Sequence, residues 1–412
     1  MDIRARRFAY ILCVIATFIR CQGTQRPISL QQIYVVFRHG DRTPTTYDIL
    51  KTEKSFDELW PLGTGQLSLK GSLQAFELGD WIRNKYGNVV KRSYNASDVY
   101  ILSSTKDRTL MTAEAFLAGL YKEDSSCLDR PGLKWRPIPV HEEERDNPLL
   151  QKTKNCARLD KLQSKQLNSN ESLEYEKRHK EMFHRVQQFV RVHADRKTIR
   201  KISDSLACMQ AHDMVLPKGC TDELVKEIHE VRNFYFNEKV VGTSEIVRLK
   251  VGPLVNEIFN RIQLSTQRTG SCRLADPGCR AVFYSAHDTN VAALLSAFGA
   301  FKRKRVEYAA AVILELWGPD PPGDLSEYQI KLRYKRGWTD QYGNYTQIGC
   351  CAGDPPTKGC PLHTVLEYIK PMRINKHDFK LECSVNSLPT VSIPMFTTLS
   401  LLVFQNMIIQ LN

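Results

Sequence analysis

No two CxxC pairs stand at zinc-ribbon spacing anywhere in the 412 residues, so the sequence offers no thiolate set for a structural zinc. It has no internal repeat, which argues against a solenoid, and no low-complexity linker between candidate domains. Acidic residues are in deficit: 45 Asp and Glu stand against 58 Lys and Arg, a formal net charge of +13. Aromatic–basic repeats are lacking too, so that excess does not read as a nucleic-acid surface. The densest basic run, Lys302-Arg303-Lys304-Arg305, reads as a solvated turn, and the positive field favours anionic substrates. With 42% hydrophobic and 25% charged residues, the chain can build a sizeable core as one large domain or two modest ones.

Both ends differ from this globular composition. Arg4, Arg6 and Arg7 precede an apolar stretch from Phe8 to Ile19 and the small-residue site Cys21-Gln22-Gly23. That is the layout of a secretory signal peptide over residues 1–23; a retained anchor is the alternative, for which the stretch is short. At the other end, 384–412 contains an apolar segment from about Val391 to Leu411 with no basic tail behind it. Ser384, Asn386 and Ser387 upstream fit a glycolipid-anchor signal. Gln405, Asn406 and Gln410 weaken that reading and a spanning helix alike, leaving an amphipathic tail as the third option.

Export gives the cysteines meaning. Of twelve, Cys13 and Cys21 lie in the leader; the other ten form an even set suited to disulfides in an oxidising compartment. Cys208 with Cys220 and Cys272 with Cys279 are close in sequence, and Cys350, Cys351 and Cys360 cluster. Sequons at Asn95, Asn170 and Asn344 agree with secretion, to the cell exterior, its surface or the lysosome.

Three times a strand stops at charge and a helix follows. The first is "IYVVFRHGDRTP", Ile33 to Pro44, whose uninterrupted apolar run suits a parallel strand covered on both faces. A loop-like stretch from Asp57 to Gln66 leads to a helix from about Leu69 to Tyr86, with Leu69, Leu73, Phe76 and Ile82 on one face. The second strand, Val99 to Leu102, meets Lys106, Asp107 and Arg108; Leu110, Ala113, Leu117 and Leu120 then mark the inner side of a helix. The third, Ala281 to Ala286, runs into His287-Asp288 and a helix capped near Thr289 or Asn290. Ile313 to Trp317 and the alternating Tyr328 to Tyr334 read as further strands, the latter antiparallel. Residues 139–242 are charged and helical, with apolar faces at Phe183, Val186 and Val190 and at Leu224, Ile228, Val231 and Tyr235. His179, His184, His193 and His212 fall there and read as surface histidines, not a metal site. The expected fold is therefore α/β: a mainly parallel central sheet flanked by helices, split into 24–138 and 243–383 by a helical cap at 139–242.

In open α/β sheets ligands bind beyond the carboxyl ends of strands, where all three charged turns sit. If the strands are parallel neighbours, Arg38, His39, Arg42, Arg108, His287 and Asp288 converge. Any one turn could be a mere salt bridge; three in the same context point to a site. Arginine forks match phosphate oxygens, a neutral histidine can attack phosphorus, and a carboxylic acid can protonate a departing alkoxide. Phosphoryl transfer needs mostly placement and charge stabilisation, so this set requires no metal or other cofactor.

"RHGDRTP" (Arg38–Pro44) together with "YSAHDTN" (Tyr284–Asn290) resembles the histidine acid phosphatase family. The resemblance extends through Ser104–Tyr121, Lys134–His141 and Leu254–Ile262, in order along nearly the whole mature chain. It implies an α/β domain with a helical cap. His39 would be the nucleophile, Arg38, Arg42 and Arg108 would hold the phosphoryl oxygens, His287 would hydrogen-bond them, and Asp288 would donate the proton. It further implies that Cys156 pairs with Cys383, and Cys360 with Cys350 or Cys351. A family cysteine is missing near Ala309 to Ala311, which leaves Cys208 for Cys220; Cys127 takes the remaining member of the Cys350/Cys351 pair. Small phosphomonoesters are the expected substrates, and a homodimer is compatible with the family. Asn290 also resembles the phytase branch, so the alternative is an inositol polyphosphate phosphatase. A secreted non-catalytic ligand-binding protein on the same scaffold is the third reading.

Overall fold

The computed structural model describes residues 27–384, apart from 123, 125–127, 131–132, 145–148, 151–155 and 267–278. In chain order its elements are β1 (Ile28–Arg38), α1 (Phe56–Leu59), α2 (Leu69–Lys85), β2 (Val99–Ser103), α3 (Asp107–Leu120), a small ribbon of β3 (Leu128–Arg130) and β4 (Leu133–Trp135), and β5 (His141–Glu142). Five helices follow: α4 (Ala157–Leu167), α5 (Asn170–Arg178), α6 (Lys180–Gln187), α7 (Ile199–Ala211) and α8 (Asp222–Val241). Then come α9 (Ser244–Thr266), β6 (Ala281–Ala286), α10 (Asp288–Ala297), β7 (Ala311–Pro319), β8 (Gln329–Lys335), β9 (Asn344–Thr346), β10 (Cys360–Pro361), α11 (Leu362–Ile369) and α12 (Lys376–Cys383).

The central sheet runs β10-β8-β7-β1-β6-β2-β5, with β9 beside β8. β1, β6, β2 and β5 pair in parallel; β7, β8, β9 and β10 add an antiparallel half, as the alternation in Tyr328–Tyr334 predicts. Both faces are covered, which explains the unbroken apolar run of β1. Tyr34 and Val36 enter one core with α9 and α10, while Ile33, Val35 and Phe37 enter the other with α2 and α3. A third core lies in the helical layer, where Met182, Val186, Val190, Leu224, Ile228 and Val231 pack together. Ile49, Leu50, Phe56 and Trp60, from far upstream, complete it. The stretch read as loop before Gln66 thus contains α1, whose N-cap Ser55 and Glu58 cap each other.

The inner face of α2 differs from the expected one. Leu69 and Leu73 are exposed, and the buried positions are Gly71, Gln74, Ala75, Leu78, Gly79, Ile82 and Arg83. The cause is a close crossing with α3: a Cβ at Gly79 would collide with the Phe116 carbonyl, and one at Gly119 with the Phe76 carbonyl. Small residues make that face, and a count of large apolar side chains passes over them.

The disulfide framework is partly as expected. Cys156 bonds to Cys383, and Cys360 to Cys351. Cys350 carries a free thiol, and Cys127, its expected partner, lies outside the described residues. Cys279 is disulfide-bonded, while Cys272 also lies outside them. Cys208 and Cys220 are not joined: both are free thiols. Cys208 is fully buried, with Sγ 3.8 Å from Arg42 Nη1, whereas Cys220 packs at the edge of the helical core. Closeness in sequence does not aim the two side chains at each other. The sequon residues Asn95, Asn170 and Asn344 are all exposed. No described helix is long and apolar enough to cross a membrane; the expected signal peptide and the C-terminal apolar segment lie outside the described residues.

Candidate active site

Because β1, β6 and β2 are adjacent and parallel, their carboxyl ends deliver the three charged turns to one place. The turns are stitched together by backbone. The His39 amide donates to the carbonyl of Ala286, the last residue of β6, at 3.1 Å, and the Ser104 amide donates to the Ser285 carbonyl at 3.1 Å. Gly40 is required here, since a Cβ would run into the Gly71 carbonyl where the first turn lies against α2.

His39 is 4% exposed, with its ring 5.6 Å from that of His287 and 5.9 Å from that of Tyr308. Its Nδ1 is 2.8 Å from the Gly40 carbonyl oxygen, which can only accept. Nδ1 therefore carries the proton and Nε2 keeps its lone pair. Burial, reinforced by Arg38, Arg42, Arg108 and His287, holds the imidazole well below its ordinary pKa. At pH 5 an ordinary imidazole would be protonated by about thirty to one; the lowered pKa favours the neutral form of this one further into acid.

Three guanidiniums surround it. Arg38 donates through Nη1 to the Val306 carbonyl at 2.7 Å and lies 4.0 Å over the Tyr308 ring. Arg42 gives both terminal nitrogens to Asp204, at 3.1 and 2.7 Å. Arg108 sits in the first turn of α3, and burial, then Arg42, lowers its pKa to about 10. Each of the three retains a buried Nε–H with no acceptor. Buried donors of that kind are costly unless something fills the space beside them, and an anion with several oxygens is the natural candidate.

His287 is the N-cap of α10, with Nε2 2.9 Å from Ser104 Oγ. Burial, then Arg108, lowers its pKa to about 3. Asn290 is the third residue of the helix and accepts from the His287 amide at 3.2 Å through its side chain. Asp288 opens α10, and its carboxylate meets Arg232 Nη2 at 3.2 Å. Burial would raise its pKa, but Arg38, Arg232, His287 and Arg42 outweigh it and hold the group at about 2. All six residues singled out in the sequence thus fall within one electrostatic neighbourhood.

Several contributors escaped the sequence reading. Asp204, from α7, takes the bidentate contact of Arg42 and also accepts from the Thr45 amide and hydroxyl. Arg232 comes from α8. His212, expected as a surface histidine, is a junction: its Nε2 lies 2.6 Å from Oδ2 of the fully buried Asp41, which also accepts from Ser68 Oγ at 2.6 Å. Asp204 and His212 tie the helical layer to the first charged turn, and Arg232 ties it to the third. Only Asp41, inside the motif, carried any signal. The others are single charged residues beside apolar helix faces, a pattern shared with many solvated positions.

The Asp204–Arg42 pair has a measurable consequence. Despite burial, Arg42 and Thr45 hold the Asp204 carboxyl well below the usual carboxylate range. Its stabilisation is complete above the unfolded carboxylate value of ~3.9 and is lost only as pH falls through the depressed folded value. The pair therefore survives mild acid. Asp204→Ala leaves Arg42 buried without its partner, and a loss of about 3–5 kcal/mol is expected. Urea unfolding at mildly acidic pH measures it; an unchanged midpoint would mean that the pair holds nothing together.

The comparisons agree with this geometry. The sequence profile of the histidine phosphatase superfamily (branch 2) matches residues 29–335. Prostatic acid phosphatase of Bos taurus is 29% identical over 392 residues, covering 93% of this chain and 95% of its own. Lysosomal acid phosphatase of Xenopus laevis is 30% identical over 364 residues, covering 87% and 79%. Among solved structures, a Hafnia alvei phytase in complex with myo-inositol hexakis sulphate superposes with a TM-score of 0.63, covering 88% of this chain and 99% of its own. Its identity is 17%, so that likeness is one of fold. A match spanning all three charged turns, on a sheet that brings them to one mouth, places this chain in the histidine phosphatase superfamily, branch 2.

Proposed function

We propose that the chain hydrolyses phosphate monoesters at acid pH through a phosphohistidine on His39. One observation carries the reading: a buried imidazole, kept neutral and with Nε2 free, stands among three guanidiniums that each retain an unpaired Nε–H. The acid phosphatase relatives support the same reaction class.

In the first step the Nε2 lone pair of His39 forms a bond to phosphorus while the ester P–O bond breaks. Asp288, as a carboxylic acid, gives its proton to the departing alcohol oxygen. In the second, water attacks phosphorus, Asp288 as carboxylate takes its proton, and the P–N bond breaks to return Nε2 its electron pair. Arg38, Arg42 and Arg108 neutralise the phosphoryl oxygens throughout, and His287 hydrogen-bonds one of them. The acidic residue in this scheme must hold a proton, yet Arg38, Arg232, His287 and Arg42 favour its ionised form. A bound phosphate dianion resolves this. Its charge offsets Arg38 and Arg42, two of the groups that hold Asp288 down, and its pKa rises.

The pH dependence follows. Above the loaded-site pKa of Asp288 the protonated fraction falls tenfold per pH unit, while His39 stays neutral well into acid. A maximum between about pH 4 and 6 is expected for alkyl phosphates. The test is phosphate release by the disulfide-intact protein from p-nitrophenyl phosphate, glycerol phosphate and inositol hexakisphosphate across the pH range. A maximum above about pH 8 would remove Asp288 from its role. No release from any of the three would favour a binding protein on this scaffold. Passage through the secretory pathway is part of the same proposal, supported by the basic-then-apolar pattern of residues 4–19, by the disulfides of the described residues and by the prostatic and lysosomal relatives.

A further inference from the structure

Beyond the three arginines of the phosphoryl cradle there is a fourth at the mouth. From its position we infer that Arg232 selects phosphomonoesters whose alcohol portion carries a second anionic group, a carboxylate or a phosphate, near the ester oxygen. This rests on the reading of Asp288 as proton donor. Arg232 contacts Asp288 and not the phosphoryl cradle, so it lies on the side from which the leaving group departs. Its side chain is 18% exposed and that of Asp288 21%, so both reach the mouth. The guanidinium rests 4.7 Å over the Phe236 ring, which fixes it on α8.

Its surroundings add positive charge. The basic run at 302–305 is held against α8, where Asn233 and Asn237 side-chain amides donate to the Arg303 carbonyl at 3.0 and 2.8 Å. Arg303 itself pairs with Glu238, and Arg305 with Glu307 at 3.9 Å. Arg305 is close enough to add its field to that of Arg232 at His229. Lys302, Arg303 and Lys304 are exposed, as expected of a solvated turn, and the backbone of the run is held beside α8.

The pairing of Arg232 with Asp288 gives the selection its mechanism. Asp288 is faced by Arg38 and Arg42 from the first turn, Arg108 from α3, Arg232 from α8, and His287 at its own N-cap. The first three arginines are committed to the phosphoryl group whatever the alcohol is. Of these four arginines, Arg232 is the one placed to respond to the leaving group. A neutral alcohol leaves it on Asp288, favouring the carboxylate that cannot donate. An anionic alcohol portion draws the guanidinium to itself, gains a charge-assisted contact, and lets Asp288 take up its proton.

The experiment compares kcat/KM for glycerol 3-phosphate and 3-phosphoglycerate, which share a three-carbon skeleton and differ by one carboxylate, with p-nitrophenyl phosphate as the reference reaction. The wild-type chain is expected to favour 3-phosphoglycerate by about 10–100-fold at mildly acid pH. Arg232→Leu should reduce that preference about tenfold or more, and Arg232→Lys should leave it in between. Removing the cation destabilises the Asp288 carboxylate and raises its pKa. The alkaline fall of the glycerol 3-phosphate rate should therefore move up by about one pH unit in Arg232→Leu, a shift that a loss of packing alone does not produce. An absent preference in the wild type, or one that survives in the leucine variant, overturns the proposal. If the leucine variant does not fold, an undiminished preference in Arg232→Lys overturns it equally. A wild-type chain with no activity on p-nitrophenyl phosphate sinks the phosphatase reading itself, whereas activity there without selectivity sinks only the role of Arg232.

Discussion

His39→Ala is expected to lose turnover and phosphoenzyme together, the rate falling by roughly 10⁴-fold or more. The size follows from the geometry. Nε2 of His39 is left free among the arginines, because Nδ1 is committed to the Gly40 carbonyl, whereas His287 Nε2 is engaged by Ser104. Alanine leaves a hollow lined by guanidinium groups that still binds phosphate but has nothing to attack it. Substrate binding should then persist while chemistry stops, a combination that global unfolding would not give. Rapid quenching with a phosphate-labelled ester follows the chemistry, and equilibrium binding of inorganic phosphate follows the site: the wild type should yield a protein-bound phosphate stable to alkali and labile to acid, and the variant none. A variant that still forms such an adduct would place the nucleophile elsewhere. His287 would be the next candidate, since its imidazole is also kept neutral and lies 5.6 Å from that of His39.

What was legible in the sequence and what was not divide along a physical line. β1, β2 and β6 could be read because strands buried on both faces must be apolar without interruption, and each ends where the backbone leaves the core and charge becomes affordable. Their adjacency followed once they were taken as parallel neighbours. The helices between β5 and β6 announced themselves through spaced large residues such as Leu224, Ile228, Val231 and Tyr235, all buried. The inner face of α2 did not, because there the determinant is the absence of bulk at Gly79 and Gly119. Cys208 and Cys220 failed for a related reason: twelve residues of separation say nothing about side-chain direction at the end of a helix. Within the site, residues from the charged turns stood out by their setting. Asp204, His212 and Arg232 did not, since they belong to another layer and matter only after it folds over the sheet.

That division also bears on how the site works. In the proposed mechanism the sheet supplies the groups that act on the phosphoryl unit, and these were the readable ones. The helical layer supplies the partners that set their charge: Asp204 for Arg42 and Arg232 for Asp288. Chemistry is thus encoded locally in the motifs, whereas its tuning depends on long-range packing. Substitutions in the layer should change selectivity and pH response more than the identity of the reaction.

Asp288→Ala should separate substrates by the basicity of their leaving groups. An alkyl phosphate releases a strongly basic alkoxide and depends on the donor, so its rate should fall by roughly 10²–10⁴-fold. p-Nitrophenyl phosphate releases a stabilised phenolate that departs without a proton, and its first step should fall by about tenfold at most. The distinction must be read in a single turnover, because in the proposed mechanism Asp288 serves twice. Without its carboxylate, water attack on phosphohistidine also loses its base, and steady-state rates for both esters would then report that slower step. For the aryl ester the expected trace is a burst of nitrophenol close to one equivalent, followed by a slow phase, with labelled phosphate accumulating on His39. Equal losses for the two esters in the burst phase would contradict the donor role. A trace with no burst and a uniformly slow release would instead mean that Asp288 acts before bond breaking, by holding Arg232 and the mouth of the site in place.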